Sequence, residues 1–390
     1  MTAPTSGTRP DDARRHNRSA LLRRLHVDGP CTRATLATEL GLNRSTIKAV
    51  VDGLAEAGVV TEAVPSQRSG AGRPSLMVLP RPQSAVVLAV DIRVDQVAMA
   101  MVGIGGQILG RHSWNLHRTT RLPGEVITHV VESAQLLRDE LAVVVSGAGV
   151  SVPGVVRRAD GFVHEAPNLG WRDVALGRRL GSVLQLPTLV GNDAELGALA
   201  EHVRGVARES SDLVYLSADV GVGGGVIAGG RPLRGTGGYV GEIGHIQVRP
   251  GGRACFCGAQ GCWETEVGEP ALCRALGLPE DTPRGALVAE LRSLSAAPDQ
   301  IDGKLGEFTE WLATGLVTLV NMLAPELVVL GDLLTALPPR VVDRARAIVH
   351  ERSLVSRAVG GTRITISPLG RDARLVGAAE LAFEQILESI

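Results

Sequence analysis

The stretch Gly244–Glu264, GHIQVRPGGRACFCGAQGCWE, puts Cys255, Cys257 and Cys262 within eight residues of one another, behind His245. Three chemistries suit such a set: a redox pair of thiols, a nucleophilic thiol beside an imidazole base, or a metal site. One imidazole and three thiolates complete a tetrahedral zinc shell and leave no position open for water, so an ion held there would be structural rather than hydrolytic. The Cys-x-Cys step is tighter than the Cys-x-x-Cys of common zinc ribbons, but Gly258 and Gly261 let the loop turn back on an ion. A set of buried thiols is the plain alternative. The four residues together favour one structural Zn2+ per chain, in a loop spanning about 245–264. Cys31 and Cys273 stand apart and read as packing residues.

The rest of the chain has to build the frame for that loop. Its 390 residues are 44% hydrophobic and 21% charged, with a net charge of -1, values of a globular protein with two or three domains. The most apolar run, Trp311 to Leu323, is interrupted by Asn321 and stopped by Pro325 and Glu326, short of a bilayer span. The first residues, MTAPTSGTRPDDARRHNRS, are polar and lack an apolar leader core, so a cytoplasmic location and reduced cysteines are expected. Charge is uneven: residues 1–82 carry 12 Arg and Lys against 7 Asp and Glu, whereas the remainder is acidic. The two parts are therefore expected to meet different partners. Their boundary is Leu79-Pro80-Arg81-Pro82-Gln83, where two prolines stiffen the chain.

Within the basic part, residues 33–54 show two apolar helical stripes broken by Gly41-Leu42-Asn43, which predicts helix, turn and helix. Gly41 suits the left-handed end of the first helix and Asn43 the cap of the second. The second helix then opens with Arg44, Ser45, Thr46 and Lys48, groups that a recognition helix presents to bases and phosphates. An ordinary helical hairpin is the bland reading. Two short strands, 58–62 and 75–79, flank a loop with the tip Gly72-Arg73-Pro74, the order of a winged helix. Arg73 on so slim a tip can enter a narrow minor groove. The expected organisation is a tail at 1–16, a winged helix-turn-helix at 17–80, a linker at 81–84 and a large unit at 85–390.

The large unit contains a repeat. Residues 85–110 and 212–233 each read as strand, turn, strand, turn, strand, with an aspartate at the first turn. A spacing this long suggests a duplicated α/β half-domain with a ligand cleft between the halves. Further buried strands are expected at 143–150 and 327–330.

With Gly241-Glu242-Ile243-Gly244-His245 and Cys255-Phe256-Cys257-Gly258-Ala259-Gln260-Gly261-Cys262-Trp263-Glu264, and with Gly149 to Gly154 and Gly191 to Glu195 in support, the chain resembles the ROK family of repressors and sugar kinases. The resemblance implies a duplicated, actin-like two-lobed α/β sugar-kinase fold behind an N-terminal winged helix. It also implies that Asn192, Asp193, Glu242, His245 and Glu264 bind sugar hydroxyls, with Asn168 lining the same cleft. Taken singly, an Asn-Asp pair after a strand is more often a turn or a helix cap. Asp193 matches the position of a kinase's general base.

The nucleotide loops depart from the family's kinases. The first reads Asp91-Ile92-Arg93-Val94-Asp95-Gln96, without its glycines, threonine or lysine; the second reads Asp219-Val220-Gly221-Val222, with Asp219 for glycine and Val220 for the hydroxyl donor; the third reads Leu330-Gly331-Asp332. Added carboxylates repel a polyphosphate. The expectation is a sugar-responsive, DNA-binding transcriptional regulator, in all expectation a repressor, with operator DNA and a sugar as partners, no kinase activity, and a homodimeric or homotetrameric state. An active sugar kinase with a DNA-binding appendage is the runner-up, and a regulator that has lost sugar binding the third reading.

Overall fold

Leu21, Leu22 and Leu25 share one stripe of helix α1 (Pro10–Asp28) and are fully buried in the computed structural model, which describes residues 10–64, 76–117 and 121–390. They cover strand β1 (Cys31–Thr32), helices α2 (Arg33–Glu39) and α3 (Arg44–Glu56), and strands β2 (Val60–Ala63) and β3 (Met77–Pro80). The expected helix, turn and helix is present: Gly41 has φ +64, and the Asn43 side chain accepts the Thr46 N–H at 2.8 Å. Strand β1, which orders the small sheet as β1-β3-β2, is two residues long and too short to leave a periodic signal. The Arg73 tip lies outside the described residues.

The proline junction does not hang free. The Arg81 N–H donates to Val59 O at 2.9 Å, and the Ser84 hydroxyl donates to Arg81 O. One hydrophobic core runs across it, from Leu21 and Leu25 through Val87 and Ala89 to Phe383 and Leu387.

The first lobe follows: β4 (Val86–Ile92), β5 (Gln96–Gly103), β6 (Gln107–Asn115), α4 (Pro123–Leu141), β7 (Val145–Val152), a small sheet of β8 (Val155–Arg157), β9 (Phe162–Ala166) and β10 (Trp171–Val174), then α5 (Leu176–Leu184), β11 (Thr188–Asn192) and α6 (Asp193–Val203). The second lobe holds β12 (Leu213–Ala218), β13 (Val222–Ala228), β14 (Arg231–Pro232), α7 (Trp263–Val267), α8 (Glu269–Leu276), α9 (Arg284–Ser295), α10 (Ile301–Leu323), β15 (Leu327–Asp332), α11 (Pro339–Arg352), α12 (Leu354–Ala358), β16 (Arg363–Ile366) and α13 (Ala373–Ser389).

The repeat is visible in the sheets. Their orders, β11-β7-β4-β5-β6 and β14-β13-β12-β15-β16, correspond strand for strand, each with an antiparallel meander and two parallel strands. Strands β4 and β12 are buried along their whole length because helices or neighbouring lobes cover both faces. Helices α6 and α13 fill the space between the lobes. A Cβ at Gly225 of β13 would stand 2.2 Å from Ala194 O of α6, and one at Gly149 of β7 would stand 1.8 Å from Ala378 O of α13. Glycine therefore seats one helix on each sheet. Among the described residues no helix is long and apolar enough to cross a membrane.

Candidate functional site

The cysteine loop folds as its glycines predict. Gly261 has φ +70, and a Cβ there would fall 1.6 Å from Arg249 O, so only glycine lets the Val248 and Arg249 N–H groups both donate to Gly261 O, at 2.9 and 3.1 Å. Trp263, fully buried, anchors the end of the loop by donating its indole N–H to Trp311 O at 2.9 Å. The ligand atoms of His245, Cys255, Cys257 and Cys262 lie within 4.8 Å of one another. The distances Cys257 Sγ to Cys262 Sγ, 3.7 Å, and Cys255 Sγ to His245 Nδ1, 3.6 Å, are those of tetrahedron edges around an ion with bonds of about 2.0–2.3 Å. Burial pushes the Cys255 thiol up to about 12 and the Cys262 thiol above its ordinary value, whereas a backbone hydrogen bond at Ala259 lowers Cys257; a divalent cation would favour the thiolate at all three. The donor set fits a metal ion.

Because His245 Nδ1 faces the sulfurs, Nε2 turns the other way, 3.8 Å from Glu242 Oε2. That side is a cleft between the lobes. Asn168, Asn192, Asp193, Glu242, His245 and Glu264, all expected at a sugar site, line this one cleft. Glu264 sits at the start of α7, and its Oε2 accepts the Val222 N–H at 3.1 Å, which ties the metal loop to β13. The side chain of Asn192 is largely occupied: Oδ1 accepts from Ala194 and Glu195 N–H, capping α6, and Nδ2 donates to Gly154 O at 2.9 Å. Its wall position is real, but its amide works mainly as a cap.

Asp193 is buried at the N-terminus of α6. Its Oδ1 accepts the Ala194 N–H at 2.9 Å and its Oδ2 stands 3.3 Å from Arg374 Nη1. Burial raises its carboxyl above the usual range, Arg374 opposes this, and Asp332 and Asp91 add to it. Each oxygen thus has a partner within the protein, while Asp193 still lines the cleft.

The three degenerate nucleotide loops close on themselves. Arg374, fully buried on α13, bonds Asp332 Oδ2 at 2.8 Å and Asp219 Oδ2 at 3.1 Å in addition to Asp193. Arg284 pairs with Asp219 and Glu269; burial, with Arg374 and Arg371 nearby, pulls its guanidinium down to about 10. Arg93 pairs with the buried Asp91, and Arg371 with Asp95 at 3.1 Å. The backbone donors are also taken: Val220 N–H by Asp219 Oδ1 and Val222 N–H by Glu264. Asp332 keeps a glycine-like backbone, φ +52 and ψ -123, which costs an aspartate about 1–3 kcal/mol. Repulsion by added acids, expected from sequence, is therefore half the picture. The acids are matched by arginines, so their carboxylates are held in ion pairs within the chain.

On α3, Arg44 is exposed, Ser45 donates its hydroxyl to Asn43 Oδ1 at 2.6 Å, Thr46 supplies the capped N–H, and Lys48 pairs with Asp52 at 2.6 Å. Sequence reasoning missed Arg374 and Arg284, which belong to no motif; Arg374 reaches the cleft through the packing of α13, and Arg284 reaches Asp219 through that of α9. It also missed Tyr239 and Phe256 at the cleft wall, Phe256 more than half exposed and edge-on to His245.

Comparison with known proteins fits this geometry. Over 381 residues the chain is 27% identical to the xylose repressor of Bacillus subtilis, covering 96% of each chain. It is 31% identical to the glucokinase of Streptomyces coelicolor, covering 77% of this chain and 98% of that one. Among solved structures, a ROK family transcriptional regulator homologous to the E. coli MLC protein superposes with a TM-score of 0.77 at 22% identity, covering 96% of this chain and 97% of that one. The ROK family profile matches residues 87–385, nearly the whole of the two-lobed unit with its cleft and cysteine loop, and the chain belongs to the ROK family.

Proposed function

We propose that this protein is a sugar-responsive transcriptional repressor that binds DNA through its N-terminal unit and does not phosphorylate its ligand. One observation carries the reading: the residues expected to bind sugar hydroxyls line one cleft, while the acids of the loops expected to meet a nucleotide are paired with the chain's own arginines. The relatives support it, since the match to the xylose repressor runs the length of both chains and the match to the glucokinase covers 77% of this one.

In this reading Asn168, Glu242, Glu264 and the Nε2 of His245 exchange hydrogen bonds with sugar hydroxyls, and Asp193 accepts one more. Zinc, held by His245, Cys255, Cys257 and Cys262, would supply a closed four-ligand clasp and no Lewis acidity. The clasp orients His245 and carries Glu264 to the cleft. Arg44, Ser45, Thr46 and Lys48 face operator DNA, joined by Arg73, and two copies of the chain read two half-sites.

Thermal shifts across a panel of pentoses and hexoses, with D-xylose tested first, decide the point alongside coupled ATP turnover on the same panel. A ligand at a hundred times its Kd stabilises the folded state by about 2.7 kcal/mol. A clear rise in Tm with at least one sugar, and no turnover with any, is the expected result. Turnover on any sugar would show a working kinase; a panel without any shift would show a regulator that has lost its sugar.

A further inference from the structure

The N-terminal unit is held to the first lobe by a buried polar cluster that no role above uses. His26, near the end of α1, is 1% exposed. Its Nε2 lies 2.9 Å from Glu380 Oε2 on α13, and its Nδ1 accepts the Gly105 N–H at 2.9 Å. Arg204, the C-cap of α6, donates to Glu380 Oε1 at 2.8 Å and to His26 O at 2.7 Å. A polar cluster this deep is costly unless every partner is in place, so it is sensitive to small displacements.

The same two helices each reach the cleft with one residue, Asp193 of α6 and Arg374 of α13. Helix α6 begins at Asp193 and ends at the clamp; α13 carries Arg374 at the cleft and Glu380 at the clamp, six residues or about 9 Å along its axis. They cannot slide freely on one another, because a Cβ at Gly377 would meet Leu196 O at 1.9 Å. The Asp193–Arg374 pair, 3.3 Å apart, is where α6 and α13 meet at the wall of that cleft.

We infer that α6 and α13 act as one relay, in which Arg374 registers sugar at Asp193 and the His26–Glu380–Arg204 clamp passes the change to the DNA-binding unit. This rests on the sugar-responsive reading above. A hydroxyl bonded to Asp193 takes over an oxygen that Arg374 now holds. Arg374 then redistributes toward Asp219 and Asp332 on the second lobe, and the helix pair shifts as a body. Ligand and clamp are thereby linked, and linkage runs both ways: loosening the clamp must alter the cleft.

Amide hydrogen exchange on the full-length protein tests this with Glu380→Gln and Arg204→Lys. Without ligand, Glu380→Gln is expected to speed exchange in residues 20–28 about tenfold and to change it at least about threefold at 192–196 and 217–222. An unchanged cleft beside a loosened α1 overturns the relay whatever the ligand is. With saturating D-xylose, the cleft should be protected in all variants, while α1 responds in the wild type only. An equal response of α1 in wild type and clamp variants also overturns it. Should Glu380→Gln fail to fold, Arg204→Lys, at a more exposed position, carries the same comparison. If neither D-xylose nor the rest of the panel protects the wild-type cleft, the sugar-responsive reading fails, and the ligand-free comparison still decides the relay.

Discussion

At the scale of residues, the cleft shows how a few side chains convert one chemistry into another. Asp219 and Asp332 stand where backbone alone would meet phosphates, and Arg374 and Arg284 answer them from inside the chain. Asp193 remains where a catalytic base would be, yet its partner is an arginine. The cysteine loop makes the opposite case, a cluster whose four donor atoms could hold a metal ion. Replacing Cys262, which is fully buried, with serine is expected to remove about one metal ion per chain, lower Tm by several degrees, and weaken any sugar-induced shift. Metal analysis and thermal melts of purified protein check this. Full metal content in the variant would remove Cys262 from the ligand set.

At the scale of elements, glycines decide the architecture more than the phosphate chemistry that their pattern suggests. Gly223 and Gly225 in β13 now admit α6 at close range, so the remnant of a nucleotide loop serves as a packing surface. Helix α13 is held by charge at its start, through Arg374, and at its middle, through Glu380. Burial alone would raise the Glu380 carboxyl, but His26 and Arg204 outweigh it and hold the group below its usual range. A depressed folded pKa means that the carboxylate stabilises the fold above the unfolded value of about 4.3 and loses that contribution as pH falls through the folded value. Glu380→Gln should therefore lower Tm most at pH 7, and the gap to wild type should narrow below about pH 4. A gap independent of pH would mean that packing, not charge, is what the substitution disturbs.

At the scale of the whole molecule, the charge asymmetry of the sequence separates two partners across one continuous core. The basic N-terminal unit shares its apolar interior with the first lobe, so it is not a bead on a string. At the start of α3 Arg44 is exposed, whereas Lys48 is paired with Asp52. Duplex DNA binding should weaken steeply with salt, and Arg44→Ala should lower the slope of log K against log salt by about 0.9. An unchanged slope in that variant would move the DNA face away from the start of α3.

What the sequence determined by itself was local or periodic. The turn at Gly41 to Asn43, the strand pattern of each repeat and the His245, Cys255, Cys257 and Cys262 cluster are written in short spacings, because caps, alternation and loop closure act over a few residues, whereas the cleft residues from Asn168 to Glu264 were legible only through the family resemblance. Tertiary structure alone decided which groups meet across long separations. Arg374 reaches Asp193 over 181 positions and His26 reaches Glu380 over 354. No composition or motif foretells such pairs, since they depend on where α13 lands between two sheets. That landing paired Arg374 with Asp193, Asp219 and Asp332 and brought Glu380 against His26 of the N-terminal unit.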